Sequence, residues 1–417
     1  MRKVFLPLCI FFSCLSHAGN FEKLSTGSIE PANTYVFIAG VLKWQNPSLT
    51  TFSNKNRKDQ ELYDLLLSKG VNKANTVYLK DEEATLASMN AELKNLLSRA
   101  TPGSTFIFYY AGHGARAEDG PVCFANYDYK AGNGFAATTV SEQVKSFFKG
   151  KQVWLLADCC FSGSLMEEAK KISGSGKSVV TFTSSTSSNI STGNWTFTQT
   201  MIDCLSGLAV CDRNSDKKIT LSEVRSELFD AMKYREKQLS GTVFYNVDEA
   251  MAFNMGNVQP GIVPKAVVYI YMQQNLKFEP ARVLSYSGVN ITGELYHYSD
   301  KMTVTVPVAR TKEIAFAEYP AGAKVQVEWN GKYYPAEIKE VKNGFHYVHY
   351  TGYNDSWNEW VMYNRINSGN SKKCSIEWMG AWYPGEMLQE KNGKYFVHYI
   401  GYGNDWDEWV GKERIRL

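Results

Sequence analysis

Two short, almost continuous runs of apolar and aromatic residues lie along the chain, and each ends at a reactive side chain. Residues 105–114 are TFIFYYAGHG and end at His113, whereas residues 152–163 are QVWLLADCCFSG and end at Cys160. Apolar runs of this length, bounded by Gly and Ser, are typical of buried strands in a parallel sheet. Because sites in such sheets form beyond the carboxyl ends of the strands, we expect His113 and Cys160 to lie close together.

A thiol and an imidazole at neighbouring strand ends indicate nucleophilic catalysis. Cysteine attacks a carbonyl carbon as the thiolate, and a nearby histidine lowers the thiol pKa or accepts its proton. The oxyanion that forms needs backbone N–H donors, which the turns at His113 and Cys160 can supply. A lone Cys or His is usually a packing or turn residue, but packing alone does not explain both at predicted strand ends, 47 residues apart.

The residues around these two runs alternate between strand and helix periodicity. Strands alternating with helices predict a mostly parallel sheet with right-handed crossovers. The predicted strands are 34–40, 76–79, 178–183 and the two runs above, and the predicted helices are 59–69, 84–99 and 139–148.

The motifs YYAGHGA and ADCCFSGS resemble the His and Cys boxes of the caspase/metacaspase superfamily of cysteine peptidases, over roughly residues 32–255. The resemblance implies Cys160 as nucleophile, His113 as general base, and the N–H groups of Gly114 and Cys160 as the oxyanion hole. The QACxG signature of caspases proper is absent, which favours the metacaspase side, although Phe161 stands where metacaspases usually have His. Legumain-like peptidases, which share the fold, are an alternative relative.

The same resemblance implies a specificity pocket. It assigns Asp158, two residues before the nucleophile, to the primary pocket and matches Asp59 to a second pocket acid. Two carboxylates there predict cleavage after Arg or Lys through charge-assisted pairing. A helix N-cap is an equally good interpretation of Asp59, and a turn residue that caps local N–H groups is the alternative for Asp158.

Residues 212–223, DRNSDKKITLSE, imitate a calcium loop. Position six of such a loop needs Gly for its sharp turn, and Lys217 there is expected to weaken binding. We therefore expect that the protein requires no cofactor, and calcium is a candidate ligand of this loop. The alternative interpretation is an Asx-rich loop that leads into a helix and binds no metal. The ligands at positions one, three, five and twelve would be Asp212, Asn214, Asp216 and Glu223.

The C-terminal part is an internal repeat. The pattern of residues 328–366 returns 49 residues later without a gap. Alternating β-branched and aromatic residues around the Asn-Gly turns at Asn343 and Asn392 predict short antiparallel strands, enough for one small barrel per copy. Fragments of the pattern between residues 278 and 310 indicate an earlier copy that lacks the tryptophans.

These repeats contain WNGKYYPAEI…YVHYTGYNDSWNEWV and WMGAWYPGEM…FVHYIGYGNDWDEWV, and they resemble the chromo-barrel/Tudor-knot family. The resemblance implies an aromatic cage that binds methylated ammonium groups through cation–π contacts. Barrel core with an unused cage is the alternative, and nucleic-acid or protein-tail binding are other uses of such barrels. The implied cages are Tyr334, Tyr350, Tyr353 and Trp357 in the first copy, and Tyr383, Tyr399, Tyr402 and Trp406 in the second.

The N-terminus has the features of a secretory signal peptide: a basic start, an apolar stretch at residues 4–15 and a cleavage site after Ala18. No second apolar run approaches membrane-spanning length, so we expect a secreted or periplasmic protein without a membrane span. The formal charge of +3 falls to +1 once Arg2 and Lys3 are removed, which argues against a nucleic-acid partner.

Together these patterns predict an α/β caspase-like fold, with a mostly parallel sheet flanked by helices, followed by small all-β barrels of the chromo-barrel/SH3-like kind. The predicted function is a secreted cysteine endopeptidase with a Cys-His dyad, acting on a protein or peptide, with barrels that target it to a protein tail or another ligand. The alternative is a catalytically silent caspase-fold scaffold whose barrels are a binding module. The predicted segments are 1–18 (signal peptide), 19–255 (peptidase domain), 256–318 (linker and degenerate repeat), 319–368 and 369–417 (barrels).

Overall fold

The structure is a computed structural model that describes residues 29–116, 121–262, 264, 266–296 and 301–417. The predicted signal peptide, residues 1–18, lies outside these ranges. Within them, no helix is long and apolar enough to cross a membrane.

The N-terminal half is built on a six-stranded sheet with the order β2-β1-β3-β7-β8-β9, in which only β9 is antiparallel. Ala111 at the end of β3 pairs with Asp158 at the end of β7, so the chain leaves both strands side by side. Strands β4, β5 and β6 form a small antiparallel sheet beyond this edge. Among the described residues of this half, the strands are β1 Thr34–Gly40, β2 Thr76–Lys80, β3 Thr105–Ala111, β4 Gly114–Arg116, β5 Val122–Phe124, β6 Phe135–Ala136, β7 Gln152–Asp158, β8 Ser178–Thr183 and β9 Gly241–Tyr245.

Helices cover both faces of the sheet, because the strand side chains alternate between two apolar cores. Helices α1, α5 and α6 pack on the face that contains Trp154, and α2, α3 and α4 pack on the face that contains Leu155. A π-helix, Met232–Glu236, continues α6. In the described residues the α-helices are α1 Lys58–Ser68, α2 Leu86–Ser98, α3 Ala137–Phe147, α4 Ser164–Ser173, α5 Thr196–Ser206 and α6 Leu221–Ala231.

The C-terminal part forms three antiparallel five-stranded sheets that share one strand order, in which the first strand lies between the second and the fifth. Residues 266–312 therefore have the same topology as the two repeats that follow. The Asn-Gly turns occur where predicted: Asn343 has φ 54° and Gly344 φ 85°. The strands are β10 Ala266–Met272, β11 Lys277–Ser287, β12 Asn290–Leu295, β13 Thr303–Pro307, β14 Thr311–Lys312; β15 Lys324–Trp329, β16 Lys332–Lys342, β17 Phe345–Tyr350, β18 Glu359–Met362, β19 Ile366–Asn367; β20 Lys372–Trp378, β21 Ala381–Lys391, β22 Lys394–Tyr399, β23 Glu408–Val410 and β24 Ile415–Arg416.

Candidate active site

His113 and Cys160 follow the central neighbours β3 and β7, and both line one open pocket of about 370 Å³. The two turns approach each other closely at Gly114. A Cβ atom on this residue would lie 1.8 Å from the carbonyl oxygen of Cys160, so no larger residue fits there. The parallel register of the sheet and this close approach together bring the imidazole and the thiol to one site.

The imidazole of His113 is held by residues that the sequence analysis did not identify. Its ring centroid lies 4.4 Å from that of Trp44 and 4.5 Å from that of Phe52. Nε2 lies 2.8 Å from the backbone oxygen of Thr50. Because a carbonyl only accepts hydrogen bonds, Nε2 carries the proton and Nδ1 is the basic nitrogen. Burial lowers the pKa of His113 below its ordinary value of 6.5, so the ring is neutral near pH 7.

The thiol of Cys160 lies among backbone N–H donors. Its Sγ accepts a hydrogen bond of 3.1 Å from the N–H of Ser191. Burial raises the pKa of the thiol, whereas the N–H groups of Ser191, Cys160 and Gly114 lower it in part. Ser191 is thus a hydrogen-bond donor to the sulfur atom that sequence analysis missed. The role of the Gly114 and Cys160 N–H groups as an oxyanion hole stays a prediction. A thiol with a raised pKa needs a base to become the thiolate.

Asp158 lines the same pocket at its buried end. Its carboxylate accepts a hydrogen bond of 2.6 Å from the hydroxyl of Thr198. Burial raises its pKa from the ordinary 3.8 to about 7, and the nearby charge of Glu236 acts in the same direction. The carboxyl group is thus available to a ligand in the pocket, and a cation would favour its ionised form.

The structure corrects both interpretations of Asp59. Its side chain is fully buried and pairs with Arg57 at 2.7 Å, and it accepts a further hydrogen bond of 2.7 Å from the hydroxyl of Tyr78. Asp59 therefore neither lines the pocket nor caps α1, whose N-cap residue is Arg57. The second acid near the pocket is Glu236, which accepts a hydrogen bond of 2.9 Å from the pocket residue Asn194.

The predicted calcium loop uses its acidic side chains to bind its own backbone. The two carboxylate oxygens of Asp212 accept N–H groups of Asp216 and Lys217, at 3.2 and 2.9 Å, and Glu223 accepts the N–H of Thr220 at 2.8 Å. Lys217 adopts φ 68°, the left-handed conformation for which Gly was expected. Across the described ranges, no group of three His, Cys, Asp or Glu side chains is arranged to hold a metal ion. Calcium binding by Asp212, Asn214, Asp216 and Glu223 stays a prediction.

The four aromatic residues of the first predicted cage come together. The rings of Tyr334 and Tyr353 have centroids 6.2 Å apart, and those of Tyr353 and Trp357 are 5.5 Å apart. Tyr350, the fourth ring, is buried. These rings line an open pocket of about 480 Å³, whose opposite wall includes Phe161 of the N-terminal half.

The second predicted cage is also formed, but it is filled by the chain itself. The ring of Trp406 lies 5.1 Å from Phe278 and 5.5 Å from Tyr271, both in the β10–β11 hairpin. Its indole N–H donates to the backbone oxygen of Leu276 at 3.0 Å. The expectation that Tyr383, Tyr399, Tyr402 and Trp406 bind an external ligand is therefore corrected, because this hairpin occupies the space.

Comparisons with known proteins agree with this division of the chain. Residues 55–169 match a family model described as metacaspase, peptidase C14 domain. Residues 320–368 and 369–417 each match the Tudor-knot model, described as the RNA binding activity-knot of a chromodomain. These matches confirm the predicted resemblance to metacaspases and Tudor-knot repeats.

Metacaspase-1 of Candida albicans is 29% identical to the chain over an alignment of 122 residues. The match covers 24% of this chain and 27% of that relative's length. Among solved structures, the fold is similar to the Drosophila initiator caspase Dronc, with 10% identity, a TM-score of 0.35 and coverage of 62% of this chain and 98% of that chain. It is also similar to Caspase-1 from Spodoptera frugiperda, with 10% identity, a TM-score of 0.37 and coverage of 57% and 95%.

Proposed function

We propose that this chain, which carries a metacaspase peptidase C14 domain and two Tudor-knot repeats, is a cysteine-type endopeptidase. The observation that carries the proposal is one open pocket lined by the thiol of Cys160, the neutral imidazole of His113 and the carboxyl group of Asp158. Gly114 packs against the backbone of Cys160, and we assign its N–H to the oxyanion that acyl transfer generates.

In the proposed mechanism, Nδ1 of His113 accepts the proton of Cys160 as the sulfur attacks the carbonyl carbon of the scissile bond. The N–H groups of Gly114 and Cys160 hold the oxyanion that develops. His113 then returns the proton to the leaving amine, which departs from the acyl-enzyme. A water molecule, deprotonated by His113, hydrolyses the thioester and regenerates the thiol.

We further propose cleavage after Arg or Lys. The pocket contains one buried carboxyl group, that of Asp158, and a bound cation would supply the partner it lacks. Lys55 also lines this pocket, and its positive charge repels a bound cation. The peptide assay must therefore compare basic and acidic residues directly at the position before the scissile bond.

We also propose that residues 1–18 direct secretion of the protein and that the barrels target the peptidase to a partner. The substrate is a protein or peptide, and the first barrel, whose cage is open, is the better candidate for contact with a partner.

Cleavage of a mixed peptide library by the purified mature protein, under reducing conditions, tests the proposal. Cys160→Ala is expected to lose cleavage, and Cys159→Ala, which removes the neighbouring buried thiol, is the matched control and should retain it. Repeating the assay with added calcium and with EGTA tests whether calcium is a ligand that affects cleavage. Equal inertness of the wild type and Cys160→Ala would favour the silent scaffold, and preference for Asp over Arg and Lys would overturn the proposed specificity.

A further inference from the structure

The three tyrosines have nearly the same geometry in the two aromatic cages, whereas the tryptophan ring lies 5.5 Å from the third tyrosine in the first cage and 4.6 Å in the second. The first and third tyrosines, Tyr334 and Tyr353, have ring centroids 6.2 Å apart, and their counterparts in the second repeat are 6.0 Å apart. The second and third tyrosines are separated by 6.4 Å in the first repeat and 6.3 Å in the second. What the second cage holds is therefore a guide to what the first cage accepts.

The second cage holds an aromatic-bearing polypeptide segment. The ring of Phe278 packs edge-on against Trp406, whose indole N–H donates to the carbonyl oxygen of Leu276. The backbone N–H of Phe278 donates to Asp405, beside the cage, at 2.8 Å. Recognition thus combines burial of a large ring with hydrogen bonds to the peptide backbone on either side of it.

The first cage is open. Trp357 is 48% exposed, whereas its counterpart Trp406 is 4% exposed. The pocket in front of Trp357 is closed on its far side by Phe161, the residue directly after the nucleophile, and by Ile190, the residue directly before the thiol-binding N–H of Ser191. The cage therefore faces the two loops that form the catalytic site.

Direct hydrogen bonds hold the first barrel at this place. The side-chain amide of Asn189 donates to the backbone oxygen of Trp360 at 2.6 Å and accepts the N–H of Trp360 at 3.0 Å. The backbone oxygen of Asn189 accepts the N–H of Phe161 at 2.8 Å. Arg116 lies 5.0 Å from the Phe161 ring and donates to the backbone oxygen of Ser356. The same residues thus contact the nucleophile loop and the barrel.

The charges around this pocket favour an apolar occupant over a cation. Glu359 is the acidic residue among those that line it, and it is already paired with Arg365 at 2.7 Å and hydrogen bonded to the hydroxyl of Tyr350. The guanidinium group of Arg116 lies on the opposite wall. A cationic side chain would therefore find a neutralised carboxylate and a like charge.

We propose that the first cage is a substrate subsite of the peptidase, which takes a bulky apolar or aromatic side chain of an extended polypeptide that lies across Cys160. This inference rests on the proposed function. In this proposal the barrel is part of the substrate-binding surface. The protein then recognises two side chains of its substrate, one in the Asp158 pocket and an apolar one in the cage.

The test uses the full-length protein and peptides with the preferred residue before the scissile bond and alanine elsewhere. One phenylalanine is moved through each flanking position. We expect one position to raise kcat/KM by about tenfold over the all-alanine reference, from burial of the ring. This ratio should fall towards one in Trp357→Ala and in Tyr353→Ala, and it should persist in Tyr333→Ala, an exposed tyrosine of the same barrel outside the pocket. Equal cleavage of every phenylalanine peptide, or an unchanged ratio in Trp357→Ala, would overturn the inference.

Binding to full-length Cys160→Ala separates this inference from the proposed function. Fluorescence anisotropy should show that the best phenylalanine peptide binds about tenfold more tightly than its alanine version, and that Trp357→Ala in this background removes the difference. Such binding without cleavage by the wild type would refute the peptidase and keep the subsite as a peptide-binding site. Tighter binding of a trimethyllysine peptide than of the phenylalanine peptide would refute the apolar subsite instead.

Discussion

Ionisation of Asp158 is expected to control how the rate of cleavage after arginine depends on pH. Raising the pKa of this carboxyl group from 3.8 to about 7 corresponds to roughly 4 kcal/mol of preference for its neutral form in the empty pocket. The cause is burial without a cationic partner. A guanidinium group in the pocket offsets this cost, because it stabilises the ionised form.

The expected result is an acid limb of kcat/KM near pH 7, since kcat/KM reports the pKa values of the free enzyme. Below that pH, cleavage of an arginine peptide should fall about tenfold per pH unit, as the ionised fraction of Asp158 falls. A citrulline peptide, which has the same shape without the charge, should lack this limb. Burial moves the pKa of His113 to lower values, so its protonation affects both peptides equally at lower pH.

The matched variant is Asp158→Asn, which resembles the neutral acid in size and still reaches the hydroxyl of Thr198. At pH 8 it should lower kcat/KM for the arginine peptide roughly 30- to 100-fold, the value of a lost charge-assisted hydrogen bond, and leave the citrulline peptide within about threefold. An acid limb near pH 7 that appears with both peptides, or that persists in Asp158→Asn, would refute the reasoning and assign the limb to another group.

Three further predictions follow from close contacts in the structure. Gly114→Ala places a methyl group 1.8 Å from a carbonyl oxygen and displaces the proposed oxyanion-hole donor, so cleavage should fall by about 100-fold or more while the circular dichroism spectrum stays unchanged. A fully active variant would contradict this role. Arg57→Ala leaves the buried Asp59 without its cation and should lower the free energy of unfolding by about 3–5 kcal/mol in urea titrations. Lys58→Ala, which removes a partly exposed helical pair, should cost less than about 1 kcal/mol and is the control. Asn189→Ala removes two hydrogen bonds to β18 and should therefore speed hydrogen exchange of the β18 amides. Asn370→Ala, a substitution at an exposed residue, should not change this exchange. Equal exchange in both variants would mean that apolar contacts alone hold the barrel.

Several features of the site could be predicted because they depend on neighbouring residues. The apolar runs before His113 and Cys160 form β3 and β7, and residues 34–40 and 178–183 form β1 and β8 with the predicted bounds. Alternation of buried side chains and the chemistry of Gly-flanked turns operate over a few residues, so the sequence reveals them directly.

Other features could not be predicted, because they depend on which segments meet. The carbonyl group of Thr50 that orients His113 is a backbone atom, which leaves no signal in the sequence. Asp59 has a cation two residues away, yet the family pattern pointed to the pocket. Glu236 comes near Asp158 from a helix that begins more than sixty residues after Cys160, a proximity that no local pattern indicates.

The sequence by itself determined the α/β alternation, the positions of Cys160 and His113 at two strand ends, and the 49-residue repeat with its two sets of aromatic residues. Tertiary structure decided the roles of those two sets, although their sequences are nearly interchangeable. A hairpin 130 residues earlier fills the second cage, whereas a loop 171 residues earlier binds β18 of the first barrel, whose cage faces Phe161 across an open pocket. The physical reason is that ring geometry follows from the local strand pattern, whereas the atoms that cover the rings come from distant segments brought together by packing.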